Sequence, residues 1–130
     1  MALAALTLGA CAQPGVPPNC LPPLKPALSV DLYFGRDRPG GGMVSDGEWD
    51  AFVTEVVTPR LPAGLSVFDA SGHYRESTGR IVRERSKRLV VVVFDAPAHS
   101  VKIDAIVTAY KQRFNQESVF RVEQAVCAGL

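Results

Sequence analysis

From Arg80 to Phe94 the chain runs without Gly or Pro, charged in its first half and continuously apolar from Leu89 onward. A strand buried on both faces at one end and solvated at the other accounts for that change of character. Whatever the chain folds into must therefore build a sheet around this segment.

The other elements follow from periodicity. Val30, Leu32 and Phe34 alternate with Asp31, Tyr33 and Gly35, the pattern of a half-buried strand. After the Gly40–Gly42 loop, Ser45-Asp46-Gly47-Glu48 fits a capping box, in which the Ser45 hydroxyl accepts from the Glu48 amide while the Glu48 carboxylate reaches back. Val44 and Trp49 fit the accompanying hydrophobic staple. Trp49, Phe52, Val53, Val56 and Val57 then recur at helical spacing, and Pro59 stops the helix. Leu65 to Asp69 reads as a second strand, with turn signals at Ser71-Gly72 and Ser77-Thr78-Gly79. Beyond the long strand, Ser100 is placed to cap a helix whose Ile103, Ile106, Val107, Tyr110 and Phe114 share one face, with Asn115 as a left-handed stop. Ser118 to Gln124 supplies the last strand. The order strand, helix, strand, strand, helix, strand closes most economically as an α+β, ferredoxin-like βαββαβ sandwich, an antiparallel sheet with two helices on one face.

The N-terminus addresses the protein. Ala2 to Leu8 is uncharged and too short to span a bilayer, which takes about 20 apolar residues, yet it suits the apolar centre of an export signal. Leu8-Gly9-Ala10-Cys11 resembles the lipobox of bacterial lipoproteins, in which Cys11 is lipidated and becomes the first mature residue. The alternative is ordinary cleavage around Ala10-Cys11-Ala12 and a secreted, soluble product. The Lys or Arg that normally precedes such a run is missing, which points to a start assigned too late or a shortened signal. The organisation expected is residues 1–11 as signal and lipobox, residues 12–27 as a tether with six prolines, and residues 28–130 as a single domain. Ala12, where an Asp often signals inner-membrane retention, favours the outer membrane and a periplasmic domain.

With Cys11 acylated, Cys20 and Cys127 form an even pair in an oxidising compartment, and a disulfide is expected. The topology agrees, because the last strand lies antiparallel beside the first and brings its end to the first strand's beginning. The formal charge of +1, from 14 Lys and Arg against 13 Asp and Glu, creates no field selecting nucleic acid.

Arg80, Arg83, Arg85, Lys87 and Arg88 crowd one strand with only Glu84 to offset them, as a solvated edge strand does to resist aggregation. Glu84 and Ser86 share a face and lie where that strand enters the core. Arg36 ends the first strand, so Arg36, Glu84 and Lys87 are expected to form the polar centre of any site, with Tyr33 as an aromatic wall and a small anionic ligand as its guest. Two cations beside Glu84 would oppose the raised pKa that a general base needs. A buried structural network is the competing account of these residues. His73 and His99 read as single exposed histidines in turns, without the spacing of a metal site. No nucleophile elbow, phosphate loop or dinucleotide fingerprint occurs, and no metal or cofactor is expected.

Tyr33-Phe34-Gly35-Arg36, Trp49-Asp50-Ala51-Phe52, Thr58-Pro59-Arg60, Gly64 to Asp69, Glu84-Arg85-Ser86-Lys87 and Tyr110 to Phe114 together resemble a bacterial family of exported proteins and lipoproteins, domain of unknown function three-five-seven-four. The resemblance covers roughly residues 28 to 127 and departs at His73-Tyr74, where relatives often carry Trp in the second position. It implies fold and export, and it carries no assigned activity. The leading functional expectation is a non-catalytic envelope domain that binds a small ligand or an envelope protein, anchored to the membrane by lipid. The alternative is a small enzyme with its active site between sheet and helices of a ferredoxin-like homodimer.

Overall fold

The computed structural model describes residues 19–130, so Cys11, the signal and residues 12–18 of the Pro-rich segment lie outside the described residues. The elements are β1 (Lys25–Gly35), α1 (Asp46–Phe52) running on into a π-helical turn (Val53–Val57), β2 (Ser66–Arg75), β3 (Ile81–Val93), α2 (His99–Phe114) and β4 (Phe120–Ala128). All pairs are antiparallel in the order β2-β3-β1-β4. The chain is thus a ferredoxin-like α+β sandwich. β1 begins at Lys25, so residues 25–27 are strand.

Strand alternation divides the sheet into two unlike faces. Val30, Leu32 and Phe34 of β1, with Leu89, Val91 and Val93 of β3, are buried under the helices. Trp49, Phe52 and Val57 descend from the first helical segment, and Ile103, Ile106, Tyr110 and Phe114 from α2. Phe34, Trp49, Phe52 and Tyr110 pack ring against ring at the centre, with Phe34 and Tyr110 centroids 4.7 Å apart. Among the described residues no layer covers the opposite face: Val92 and Phe94 are exposed, so the apolar half of β3 is buried on one face rather than both.

The local signals behave unevenly. The capping box forms in full, with the Glu48 amide donating to Ser45 Oγ at 3.2 Å and the Ser45 amide donating to Glu48 Oε2 at 2.9 Å. The step from Phe52 to Val57 is five residues, which a π turn accommodates and an α turn does not; the Thr58 amide reaches back to the Val53 carbonyl. Asn115 ends α2 in the left-handed region at φ 53°. Ser100 does not cap α2: a turn from Asp95 to Ala98 feeds the helix two residues earlier, with Ala98 at the cap. Ser71-Gly72 is not a turn either. β2 continues through it, and the reversal is made at Glu76 to Arg80, where Gly79 takes φ 88°. The resulting hairpin projects past the helices, which is why Arg83 and Arg85 are exposed although β3 is a central strand and not an edge.

Cys20 and Cys127 are joined, Cα to Cα 5.5 Å, across a separation of 107 residues. The bond ties the chain's entry to β4, whose Cys127 faces Pro26 of β1. Closing so long a loop contributes about 4–5 kcal/mol through the unfolded state. Reduction, or the double variant Cys20→Ser/Cys127→Ser, is expected to lower unfolding free energy by roughly that amount in urea titrations, a large part of a typical domain's 5–15 kcal/mol.

Candidate functional site

The four residues singled out from the sequence fall on opposite sides of the sheet. Phe34 pairs with Lys87 in register, and Arg36 continues the same parity, so both cations turn toward the helices and are buried. Arg36 Nε donates to the Val44 carbonyl at 2.8 Å, and its Nη2 lies 3.0 Å from Asp46 Oδ1. Lys87 Nζ contacts the same Asp46 oxygen at 3.0 Å and Asp69 Oδ1 at 2.7 Å. The Lys87 hydrogen bond, with the charges of Arg36 and Lys87, holds the Asp46 carboxyl below its usual range. Lys87 is raised, chiefly by its hydrogen bond to Asp69. Two cations matched by two carboxylates leave no charge for an anionic guest. The expected anion site is therefore a structural ion cluster that fastens the start of α1 to β1, β2 and β3.

Tyr33 and Glu84 occupy the open face. There they line a pocket of about 600 Å³ together with Tyr74, Phe120, Asp37 and Gln116. Its floor is Gly35. A Cβ at that position would meet Glu84 Oε1 at 2.2 Å, so the absence of a side chain gives the carboxylate its place. From the helix side Tyr110 Oη donates to the Gly35 carbonyl at 2.8 Å, and burial raises the Tyr110 pKa to about 12. Gln116 Nε2 donates to the Asp37 carbonyl at 2.8 Å and closes the far end.

Glu84 has no hydrogen-bond or ion-pair partner among the described residues. Burial, and secondarily the negative charge of Asp37, raise its pKa above the usual carboxylate value. The pocket's own cations are committed, Arg38 to Glu48 at 2.5 Å and Arg80 to Glu76 at 2.7 Å. Unpaired charge in the pocket is thus negative. Below Glu84 on the same face, Arg88 pairs with Asp31 at 2.5 Å and lies over the Tyr33 ring at 5.8 Å, stiffening the aromatic wall. Tyr33 and Phe120 have ring centroids 5.8 Å apart.

The histidines differ from expectation. His73 lies within β2 and is exposed, whereas His99 opens α2 and is buried, its Nε2 3.1 Å from Glu123 Oε1. The β4 strand that supplies Glu123 covers the ring, which a turn assignment could not reveal. Among the described residues no group of three His, Cys, Asp or Glu is arranged to hold a metal.

Residues 29–129 match the family described as "protein of unknown function (DUF3574)". Among curated proteins none matches the sequence. Similar solved structures include a phage SAM lyase in complex with S-methyl-5'-thioadenosine, with a TM-score of 0.58, 16% identity and coverage of 80% of this chain and 90% of that one. CutA from Synechococcus elongatus, complexed with a Bis-Tris molecule, is similar at a TM-score of 0.52 and 13% identity, covering 82% of this chain and 88% of its own. At such identities the likeness is one of fold.

Two substitutions separate the faces. Tyr110→Phe removes the hydrogen bond beneath Gly35 and is expected to cost about 1 kcal/mol in chemical unfolding. Asp46→Asn removes a carboxylate shared by two buried cations. Because the Asp46 pKa is lowered by folding, its contribution is present above the ordinary 3.8 and lost as pH falls through the lowered value. The variant is expected to be less stable at neutral pH and to show a shallower loss of stability on acidification.

Proposed function

The chain belongs to the DUF3574 family, and we propose that it is an exported, lipid-anchored envelope protein whose open-face pocket binds a small ligand carrying a cationic donor on an apolar or aromatic frame. One observation carries the ligand class: Glu84 stands without a partner over Gly35 in an aromatic-walled pocket whose cations are already paired. A guest ammonium or guanidinium would make the charge-assisted hydrogen bond that Glu84 lacks, and Tyr33, Tyr74 and Phe120 offer faces to its remainder. The sequence Leu8-Gly9-Ala10-Cys11 supports lipidation, and a disulfide suits an oxidising periplasm. Ala12 favours the outer membrane.

The raised Glu84 carboxyl also favours a second reading, acid–base catalysis in the same pocket. The cations that would have opposed it, Arg36 and Lys87, lie across the sheet. A SAM lyase shares the fold, and fold alone assigns no reaction.

Thermal shift with phenethylamine, agmatine and butylamine against phenylacetate tests the ligand class. Amines at a hundredfold excess over Kd are expected to add about 2.7 kcal/mol, a shift of several degrees, and phenylacetate none. Glu84→Gln is expected to weaken amine binding roughly 10- to 100-fold, as loss of a charged hydrogen bond does. Gly35→Ala displaces the Glu84 carboxylate and is expected to act in the same direction. Amine affinity is expected to fall as pH drops through the raised Glu84 pKa, above the ordinary 4.5. Stability runs the other way: the contribution of a raised carboxyl is full below the ordinary value and lost as pH rises through the raised one, so Glu84→Gln should fold at least as stably at neutral pH. Tight phenylacetate binding, or unchanged amine binding in Glu84→Gln, would overturn the assignment.

For the anchor, Cys11→Ser is expected to release the protein from salt-washed membranes, read by fractionation and by mass spectrometry of the N-terminal peptide. Retention of the variant would defeat it.

A further inference from the structure

The register Lys25↔Ala128, Leu28↔Val93 and Ser66↔Val90 brings several segments to one end of the sheet. They are the entry at residues 19–24, the C-terminus, the loop at 58–65, and the passage from Phe94 into α2. This end is unusually apolar for a free surface. Leu21 is 80% exposed, Phe94 60% and Val101, in the first turn of α2, 76%, with Leu24 and Leu130 beside them. Leu24 approaches Gly129, so the segment entering β1 and the C-terminus form one surface. Between the loop and the end of β3 runs a groove of about 360 Å³ lined by Leu61, Pro62, Val91, Val93, Phe94 and Lys102. Lys25 and Arg60, which pair with no acidic side chain among the described residues, bring positive charge here, against the C-terminal carboxylate of Leu130. Asp95, the acidic side chain of the groove, is paired with Lys102 at 2.8 Å.

We infer that this end of the domain is a docking surface for an anionic lipid bilayer, with Leu21, Phe94 and Val101 entering the headgroup region and Lys25 and Arg60 meeting lipid phosphates. Exposed apolar side chains beside basic ones are the composition of an interfacial membrane contact. The position of the tether selects a bilayer over a protein partner. The described chain starts at residue 19 on this same end, and the segment from Cys11 to Asn19 spans at most about 28 Å even when fully extended. An acyl group on Cys11 would therefore hold this end, and not the opposite one, against the membrane. That proximity rests on the lipidation proposed above; the surface chemistry does not.

The test uses the mature chain from Ala12, exported behind a non-lipoprotein signal so that it carries no acyl group; every element of the fold lies within it. Flotation with vesicles of phosphatidylethanolamine and phosphatidylglycerol is expected to carry the protein at low salt. Phosphatidylcholine vesicles should carry about tenfold less, and Leu21→Asp/Phe94→Asp/Val101→Asp should lose about tenfold with phosphatidylglycerol present. The charge variant Lys25→Gln/Arg60→Gln should float on phosphatidylglycerol-containing vesicles no better than the unmodified chain does on phosphatidylcholine, while Phe68→Asp, exposed on the open face, should float like the unmodified chain. Absence of flotation in the unmodified chain, or equal flotation by the Asp triple variant with its circular-dichroism spectrum intact, would overturn the proposal. Failure of lipidation is read separately, by the mass of the N-terminal peptide from membrane-extracted protein.

Discussion

The pleat of β1 at Phe34, Gly35 and Arg36 governs the architecture of this protein. Phe34 turns inward and sits among Trp49, Phe52 and Tyr110, so the largest rings of both helical segments meet on one residue. Gly35 turns outward with no side chain, which opens the floor of the pocket and admits Glu84. Arg36 turns inward again, where the Val44 carbonyl and Asp46 fix it. Tyr110 links the two sides by donating from the core to the Gly35 carbonyl. A shift of one residue in register would bury Gly35 and Tyr33 and expel Phe34. The core and the pocket are therefore specified by the same three positions.

Electrostatics then sorts the polar residues. Burying two cations near the core is costly unless each is paired, and Asp46 with Asp69 pairs both. Since Asp46 also stands in the first turn of α1, beside the Ser45 cap, the ion cluster and the helix start reinforce one another. That arrangement leaves Glu84 on the far side of the sheet without a counter-ion. The sign of the pocket follows from where the cations went, and it reverses the anionic preference that a count of charges along β3 implies.

Much of the fold was legible because its signals are local and strong: the capping box, the helical spacing of Ile103 to Phe114, the left-handed stop at Asn115 and the alternation from Val30 to Phe34. The disulfide was legible from topology, since only a β4 beside β1 brings Cys127 to Cys20. The lengths of β2 and β4 were not. Ser71-Gly72 carries a turn composition, yet pairing with β3 overrides it, as tertiary context overrides propensity in strands. The candidate site was half legible. Tyr33 and Glu84 do line one pocket, but Arg36 and Lys87 do not join them, because each pair differs in parity along its own strand and alternation alone forbids one shared site. Gly35 was the missed residue, and its signal was present: a glycine inside a strand marks a place where something approaches closely.

The two ends of β1 also differ in kind. At Gly35 the sheet meets the pocket, the glycine loop and the end of α2; at Lys25 it meets the disulfide, the C-terminus and the exposed apolar side chains. A strand from Lys25 to Gly35 separates these ends by about 33 Å at the ordinary rise per residue. On the proposed anchor, the pocket stands at the end of the sheet remote from the bilayer, where solutes reach it without competition from headgroups. The disulfide gains a second meaning in this geometry. It joins the entry of the chain to β4, so any pull on the tether is borne by a covalent link across the β1–β4 pair and does not peel β1 from the sheet, where Phe34 and Gly35 hold the core and the site in register.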